Sequence, residues 1–400
     1  MSHPNLPYAQ EREVALRCTI AAAHFCETVR QSQASNAFSK PDHSPVTIAD
    51  YGAQALICRT LQAAFPADPV MGEEDAQLLA SPPMADCLQR VTRYLQPYVQ
   101  PQLTPGQTLA GIPSPIAPEA APSVPTLANL NWKVNLAELL EVKTEPSPDS
   151  QPGNPQRNPQ RNPQQTTALD PQQVLQWISH GRSGLGDRFW TLDPIDGTKG
   201  YVRGDQYAVA LALIEGGQLQ VAAIVAPALP VTLHESQGDR GVAFVAVRGQ
   251  GAQAIALNSG QSWTLRVNPP EQQANFRLIE SVERDHGTPA WQQAVATAIG
   301  LQVPALQMDS LAKYGAIARG EADLYLRLPS GNSTLRWENI WDHGAGVLVL
   351  EEAGGRVTDQ TGKPLDFSQG TKLLNNKGIV ASNGTLHEAA IAAIRAQGIE

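Results

Sequence analysis

FWTLDPIDGTKGY (residues 189–201) ends an apolar strand on two aspartates set about a proline, then runs at once into Gly197, Thr198, Lys199 and Gly200. Pro194 fixes its own φ and has no amide hydrogen, so the strand must turn there. Two carboxylates on a rigid turn are costly unless something positive holds them. A hard divalent cation is the expected partner, because Mg²⁺ takes carboxylate, carbonyl and water oxygens. Asp193 and Asp196 supply carboxylates, and the main-chain carbonyl of Ile195 between them offers another oxygen. Gly197 lets the backbone come close, and Thr198 presents a hydroxyl. An Asp-rich turn or helix cap is the plainer alternative for this stretch taken alone.

Working outward, YAVALALIEGG (207–217) and LQVAAIVAPAL (219–229) are apolar runs split by Gly216-Gly217, which predicts a hairpin. Beyond about residue 228, strand patterns alternate with helical ones: FRLIES, ALQMD then SLAKYGAIARG, LYLRLP then WDHGAGVLVLEEAGG, and GIVASN before a terminal helix. Interleaved strands and helices imply layered α/β packing. Upstream, residues 1–30 read as an amphipathic helix interrupted by Glu13, Arg17 and Glu27. A second helix over 48–65 starts near Thr47, with Ala53, Leu56, Ile57, Leu61 and Phe65 at the spacing of a buried stripe. The short strand PVMGEED (69–75) follows. The expected division is an N-terminal α+β lobe, residues 1–227, and a C-terminal α/β lobe, residues 228–400.

Residues 85–168 change character. Pro and Gln dominate, and QPGNPQRNPQRNPQQ carries a tandem NPQR repeat. Such a segment buries too little apolar surface to offset its ordering entropy, so a largely disordered insertion is expected, with a docked helix over 128–142.

The bulk numbers exclude several functions. A chain of 400 residues has room for two lobes with real cores. A net charge of −9 argues against a nucleic-acid polymer as partner, so attraction for an anion must be local. No window approaches the roughly 20 apolar residues of a membrane span. The N-terminus has no secretory pattern. Four cysteines without CxxC spacing read as free thiols in a reducing cytoplasm.

Other acids stand at the ends of elements, as Asp193 and Asp196 do. Glu73 and Glu74 follow Gly72, Asp50 lies in the first turn of the helix over 48–65, and Asp342 stands at the start of the helix that Gly354-Gly355 ends. Each alone reads as a cap or a surface acid. Together they point to one shared site.

GEED, LDPIDGT and WDHGAG, in that order, resemble the signature of the Mg²⁺-dependent, lithium-sensitive phosphatases related to inositol monophosphatase. The likeness covers nearly the whole chain outside the insertion. KPDHSPVT-x-AD, DPIDGTKGYVRGDQYAVALALI, SVERDH, DSLAKY and LYLRLP are similar to one branch, the 3′(2′),5′-bisphosphate nucleotidases, which act on 3′-phosphoadenosine 5′-phosphate (PAP). That resemblance implies a layered αβαβα sandwich, α+β and α/β in two lobes, with the metal site between them. It implies two or more Mg²⁺ ions held by Glu73, Asp193, the carbonyl of Ile195, Asp196 and Asp342. It pairs Asp50 with Thr198 to activate water. It places Gly197, Thr198, His286, Ser310, Lys313, Arg327 and Asp342 against the substrate, with Lys313 and Arg327 on its 5′-phosphate. The implied reaction removes the 3′-phosphate of PAP, or of its sulfated form, to give AMP.

The residues themselves fit those roles. Arg327 alternates with Leu324, Leu326 and Leu328 and so points off the apolar face, while Lys313 lies one turn beyond Ser310 on what reads as a helix start. Two departures are visible: Asn339 stands where relatives usually carry Lys, and Gly344 where Ala is common. A small bisphosphorylated nucleotide is the expected partner and a monomer the expected state. The alternatives are a superfamily phosphatase acting on inositol phosphates or fructose 1,6-bisphosphate, and a non-catalytic nucleotide-binding sensor.

Overall fold

The computed structural model describes residues 6–32, 37–40, 45–99, 168–233, 238–283, 289–329 and 337–399. Helix α1 (Ala9–Gln31) leads to a two-stranded ribbon, β1 (Phe38–Ser39) with β2 (Pro45–Val46), and then to α2 (Ile48–Ala64). Strand β3 (Val70–Gly72), α3 (Ala76–Leu79) and α4 (Ala85–Val99) follow. After α5 (Pro171–His180) come β4 (Arg188–Asp196) and the short α6 (Thr198–Arg203). Strands β5 (Ala208–Glu215), β6 (Gln218–Pro230), β7 (Arg240–Val247), β8 (Ala252–Ala256) and β9 (Ser262–Thr264) then complete a seven-stranded sheet whose order is that of the chain, β3 to β9.

The expected hairpin joins β5 to β6. Gly216 (φ 56°) and Gly217 (φ 73°) both take positive φ, the conformation that matches a two-residue turn to the twist of its strands. In β5, Val209, Leu211 and Leu213 face one core, and Ala208, Ala210, Ala212 and Ile214 the other. Apolar residues on both faces mark a strand covered on both sides. Helices α1, α2, α4 and α5 cover the first face.

The second sheet has the order β11–β10–β12–β14–β13, from β10 (Arg277–Glu280), β11 (Val303–Gln307), β12 (Leu324–Arg327), β13 (Arg356–Thr358) and β14 (Ile379–Ser382). Strands β10, β11 and β12 run parallel; β14 is antiparallel to both β12 and β13. Helices α8 (Ala312–Ala318) and α9 (Gly344–Glu352) lie between the two sheets, in a core shared by Ile224 and Phe244 of the first sheet with Ile279 and Tyr325 of the second. Helices α7 (Pro289–Ala298) and α10 (His387–Ala396) cover the outer face, packed on Leu278, Leu324, Leu326 and Val380. Helix, sheet, helix, sheet, helix: the αβαβα sandwich is formed.

Two readings change. The division after residue 227 falls inside β6, whose neighbours β5 and β7 belong to the same sheet, and the second sheet begins only at Arg277. Residues 85–99, counted with the insertion, form α4, because Cys87, Val91 and Leu95 make an apolar stripe that docks in the first core. As the alternation predicts, Tyr325 leaves the apolar face of Leu324, Leu326 and Leu328, and it packs in the inter-sheet core. The expected helix over 128–142 and the rest of the insertion, residues 100–167, lie outside the described residues.

Candidate active site

Strands β3 and β4 are parallel, with Gly72 beside Leu192, and the Glu73 amide donates to the Leu192 carbonyl at 3.2 Å. The first residues past that register are Glu73 and Asp193, so two acids leave the sheet side by side. Asp193 and Asp196 are three residues apart and would face opposite ways on a regular strand. A bulge between them resets the alternation: Asp193 pairs with Ala210 and Asp196 with Ala208, two residues apart on β5 and therefore on one face. Pro194 suits that bulge because it has no amide to leave unpaired. The strand-end turn expected from DPID is thus a bulge, and it aims both acids into the same cleft.

Gly197 caps α6 in the left-handed region (φ 86°), where a Cβ would lie 3.3 Å from that of Ser310. Glycine at this position is what lets the second lobe close on the first. Thr198 then opens α6. Its hydroxyl lies 3.1 Å from the Ile195 carbonyl and 3.4 Å from Asp50 Oδ1, and it has one proton to give to either.

Asp50 is fully buried at the third position of α2. Its Oδ2 accepts from the Thr47 amide at 2.7 Å and the Thr47 hydroxyl at 2.6 Å, while Thr47 Oγ1 accepts from the Ala49 amide. This is a capping box closed by aspartate. Capping and a place beside Thr198 are therefore not rival readings: the cap holds Asp50 Oδ2, and Oδ1 faces Thr198.

The predicted acids share one electrostatic environment. Burial, followed by repulsion from Glu73, Asp196 and Asp342, drives the Asp193 carboxyl well above its ordinary range. Burial lifts Asp342 to about 8 despite Arg327, and lifts Asp196 to about 6 despite Lys313. Asp50 is also raised to about 6 by burial, against the pull of Lys40. So many acids driven up together mark a pocket with too little positive charge of its own.

Lys40, of KPDHSPVT, supplies part of that charge. Its ammonium lies 2.7 Å from Glu73 Oε1 and 2.5 Å from Glu74 Oε1, and these two acids raise its pKa despite burial. Glu74 is more buried than Glu73 and has its backbone clamped by the Gln54 side chain at 2.7 and 2.9 Å. Neither Lys40 nor Glu74 was assigned a role from sequence, although both stand inside quoted motifs. The donors around this pocket are oxygens, and an ammonium already sits between two of them. The chemistry of the set fits a hard cation.

Beside the acids stand two basic side chains. Arg327, at the end of β12, donates to Glu338 Oε2 at 2.8 Å, and that pairing outweighs burial for both groups, raising the arginine and lowering the glutamate. Lys313 is buried and lowered to about 8 by burial; its ammonium lies 3.3 Å from the Met308 carbonyl and over the Tyr325 ring. Its main electrostatic partner is Asp196, which also accepts a short hydrogen bond from the Leu311 amide. Ser310 precedes α8 instead of beginning it. Its φ of 67° turns the chain so that Gly197 can pack there, and its hydroxyl accepts from the Ala312 amide at 3.2 Å.

Asp342 lies two residues before α9, where Asn339 Nδ2 donates to its Oδ2 at 3.3 Å. Among the described residues, Glu338, Asp342 and His343 bring ligand atoms within 4.8 Å of one another. Two of the three are already committed, Glu338 to Arg327 and the His343 ring to the Tyr314 hydroxyl at 2.8 Å, which leaves Asp342. His286 lies outside the described residues. Glu283, just before it, pairs with both Lys199 and Arg203, and Arg203 also reaches Asp309 at 2.6 Å, which ties α6 to the DSLAKY segment.

A helix-bounded pair of sheets with this acid cleft defines a phosphatase-like architecture, and comparison with known proteins identifies its class. The family model of the inositol monophosphatase family matches residues 174–398. The 3′(2′),5′-bisphosphate nucleotidase of Schizosaccharomyces pombe is 33% identical over 98% of this chain and 96% of its own. The protein of that name from Emericella nidulans is 33% identical over 98% and 99%, and the one from Oryza sativa 31% identical over 97% and 94%. Among solved structures, CysQ from Bacteroides thetaiotaomicron superposes with a TM-score of 0.53 at 17% identity, covering 95% of this chain and 99% of that one. The IMPase of Thermotoga maritima gives 0.52 at 16%, covering 98% of each. The chain belongs to the inositol monophosphatase family, and its nearly full-length likeness to bisphosphate nucleotidases makes it a phosphatase.

Proposed function

We propose that this protein is a Mg²⁺-dependent 3′(2′),5′-bisphosphate nucleotidase that removes the 3′-phosphate of PAP to give AMP and phosphate. The observation that carries the reading is the two-ended cleft. An acid end (Asp50, Glu73, Asp193, Asp196 and Asp342) adjoins a basic end (Lys313 and Arg327), with Asp196 paired electrostatically to Lys313 and Asp342 to Arg327. A substrate with a single phosphate has no use for the second end. One with two phosphates presents one to each.

Glu73, Asp193, the Ile195 carbonyl, Asp196 and Asp342 would hold the Mg²⁺ ions, two or more in number. When bound, these ions supply the positive charge that phosphate oxygens and the leaving 3′-oxygen require. Asp50 accepts the Thr198 proton, which leaves the Thr198 oxygen to accept a hydrogen bond from the attacking water. The water's proton passes along this pair as the oxygen–phosphorus bond forms and the bond to the 3′-oxygen breaks, and the 3′-oxygen takes a proton from solvent to leave as the 3′-hydroxyl of AMP. Arg327 grips the 5′-phosphate with its planar fork, and Lys313 adds a second positive charge. By the family resemblance, Ser310 and His286 would contact the nucleoside.

A monomer in the cytoplasm is the proposed state. All four cysteines are buried and free, as suits a reducing compartment, and no helix among the described residues is long and apolar enough to cross a membrane. The test is phosphate release with Mg²⁺ from PAP, inositol 1-phosphate, inositol 1,4-bisphosphate and fructose 1,6-bisphosphate, with and without lithium. Preference for PAP with lithium inhibition supports the reading. Preference for a sugar phosphate moves the substrate to another branch of the family, and no release from any of them removes catalysis from the proposal.

A further inference from the structure

Asn339 and Lys372 are paired across an isolated antiparallel bridge, although 33 residues separate them in sequence. The flanking backbone bonds, Ile340 amide to Thr371 carbonyl at 3.1 Å and Leu373 amide to Glu338 carbonyl at 2.9 Å, hold the two residues directly opposite. This is the non-hydrogen-bonded kind of pair, in which side chains approach most closely. Lys372 Nζ donates to Asn339 Oδ1 at 2.8 Å, and Asn339 Nδ2 donates to Asp342 Oδ2 at 3.3 Å. The two ends of the amide therefore face partners of opposite kind. An ammonium only donates, so the amide oxygen must face Lys372, and its NH₂ is then the group directed at Asp342 Oδ2; the flipped orientation loses the Lys372 contact. Asn339 alone could turn over. Lys372 prevents it.

We infer that Lys372 is a positioning residue: through Asn339 it sets the orientation of the Asp342 carboxylate and so strengthens divalent-cation binding at the acid end. The inference rests on the proposed role of Asp342 as a cation ligand. Lys372 touches neither substrate nor cation. Its effect passes through one amide, as hydrogen-bonded partners behind a metal ligand act by fixing that ligand's orientation.

The test is calorimetric titration of Mg²⁺ into the full-length, chelator-stripped protein, read beside the Mg²⁺ concentration that half-saturates phosphate release. Asn339→Leu is expected to weaken Mg²⁺ binding about 10- to 100-fold, the usual effect of losing such a partner. Lys372→Met should weaken it less, Lys372→Arg should restore most of the loss, and KM for PAP at saturating Mg²⁺ should stay near its original value. The double variant should bind no more weakly than Asn339→Leu, because both act through one route. Asp342→Asn separates the two claims. If it abolishes binding of one ion while Asn339→Leu and Lys372→Met leave affinity intact, the positioning role is wrong. Losses that add in the double variant overturn it as well. If Asp342→Asn leaves Mg²⁺ binding unchanged, the ligand reading beneath it falls first.

Discussion

The two ends of the cleft handle charge in opposite ways. At the basic end, Arg327 meets Glu338 at 2.8 Å and both groups shift further into their charged forms, while burial lowers Lys313 to about 8. At the acid end, Asp193, Asp196, Asp342 and Asp50 are all driven towards their neutral forms, and Lys40 is matched to Glu73 and Glu74. A self-paired end is stable by itself, and under the proposed function it would hold an anion. An acid cluster in excess of its cations costs the fold stability until positive charge arrives. The contrast separates a part built for holding from a part built for loading.

Breaking the acid end should have the largest effect. Asp196→Asn removes one carboxylate charge with little change of shape, and turnover of PAP should fall at least about 10²–10³-fold with far-UV circular dichroism unchanged. A variant that keeps full activity would remove Asp196 from the reaction. Next comes Thr198→Ala, expected to cost about 10²–10⁴ in kcat, the range for losing a proton-handling group, with KM nearly constant. An effect confined to KM would make Thr198 a substrate contact only.

At the basic end, Arg327→Ala should raise KM for PAP by about 10- to 100-fold, equivalent to one or two charge-assisted hydrogen bonds. Adenosine 3′-phosphate, which has no 5′-phosphate, should be hydrolysed as before. Equal losses on both substrates would end the comparison between a holding and a loading part.

The smallest effect is on stability. The folded pKa of Asp342 is about 8, and those of Asp50 and Asp196 are about 6, against an ordinary 3.8. A carboxyl raised on folding costs stability above its folded pKa, and the cost fades as pH falls through that value. Lys313, lowered to about 8, and His24, His180, His343 and His387, all lowered by burial, act in the opposite sense as pH falls towards 6.5 and offset part of the gain. Chelator-treated protein should therefore gain about 1 kcal/mol, a few degrees in Tm by calorimetry, between about pH 8 and pH 6.5. Saturating Mg²⁺ should flatten that slope, since bound cations neutralise the same carboxylates. A slope that survives Mg²⁺ would place the titrating groups elsewhere.

Much of this was legible in order along the chain. The apolar runs YAVALALIEGG and LQVAAIVAPAL, split by Gly216-Gly217, predicted the hairpin, and the stripe over 48–65 predicted a packed helix. The acids at element ends were visible because four such placements in one chain are hard to explain as caps alone. The less legible parts were those that depend on two distant segments meeting. Spacing alone set Asp193 and Asp196 on opposite faces, and only the bulge in β4 turns them together. Ser310 read as a helix start because Ser is a common cap, whereas the close approach of Gly197 holds it at a positive φ.

The linear pattern by itself determined the strands and helices, their apolar faces, and which acids stand at their ends, because those follow from residue type and period. Tertiary structure decided which charges meet. Lys40 joins Glu73 and Glu74 from 33 and 34 residues away, Arg203 ties α6 to Asp309 across 106 residues, and Lys372 reaches Asn339 across 33. Each of these is a contact between side chains whose periods carry no memory of each other; only the packing of two sheets around α8 and α9 brings them within hydrogen-bonding distance.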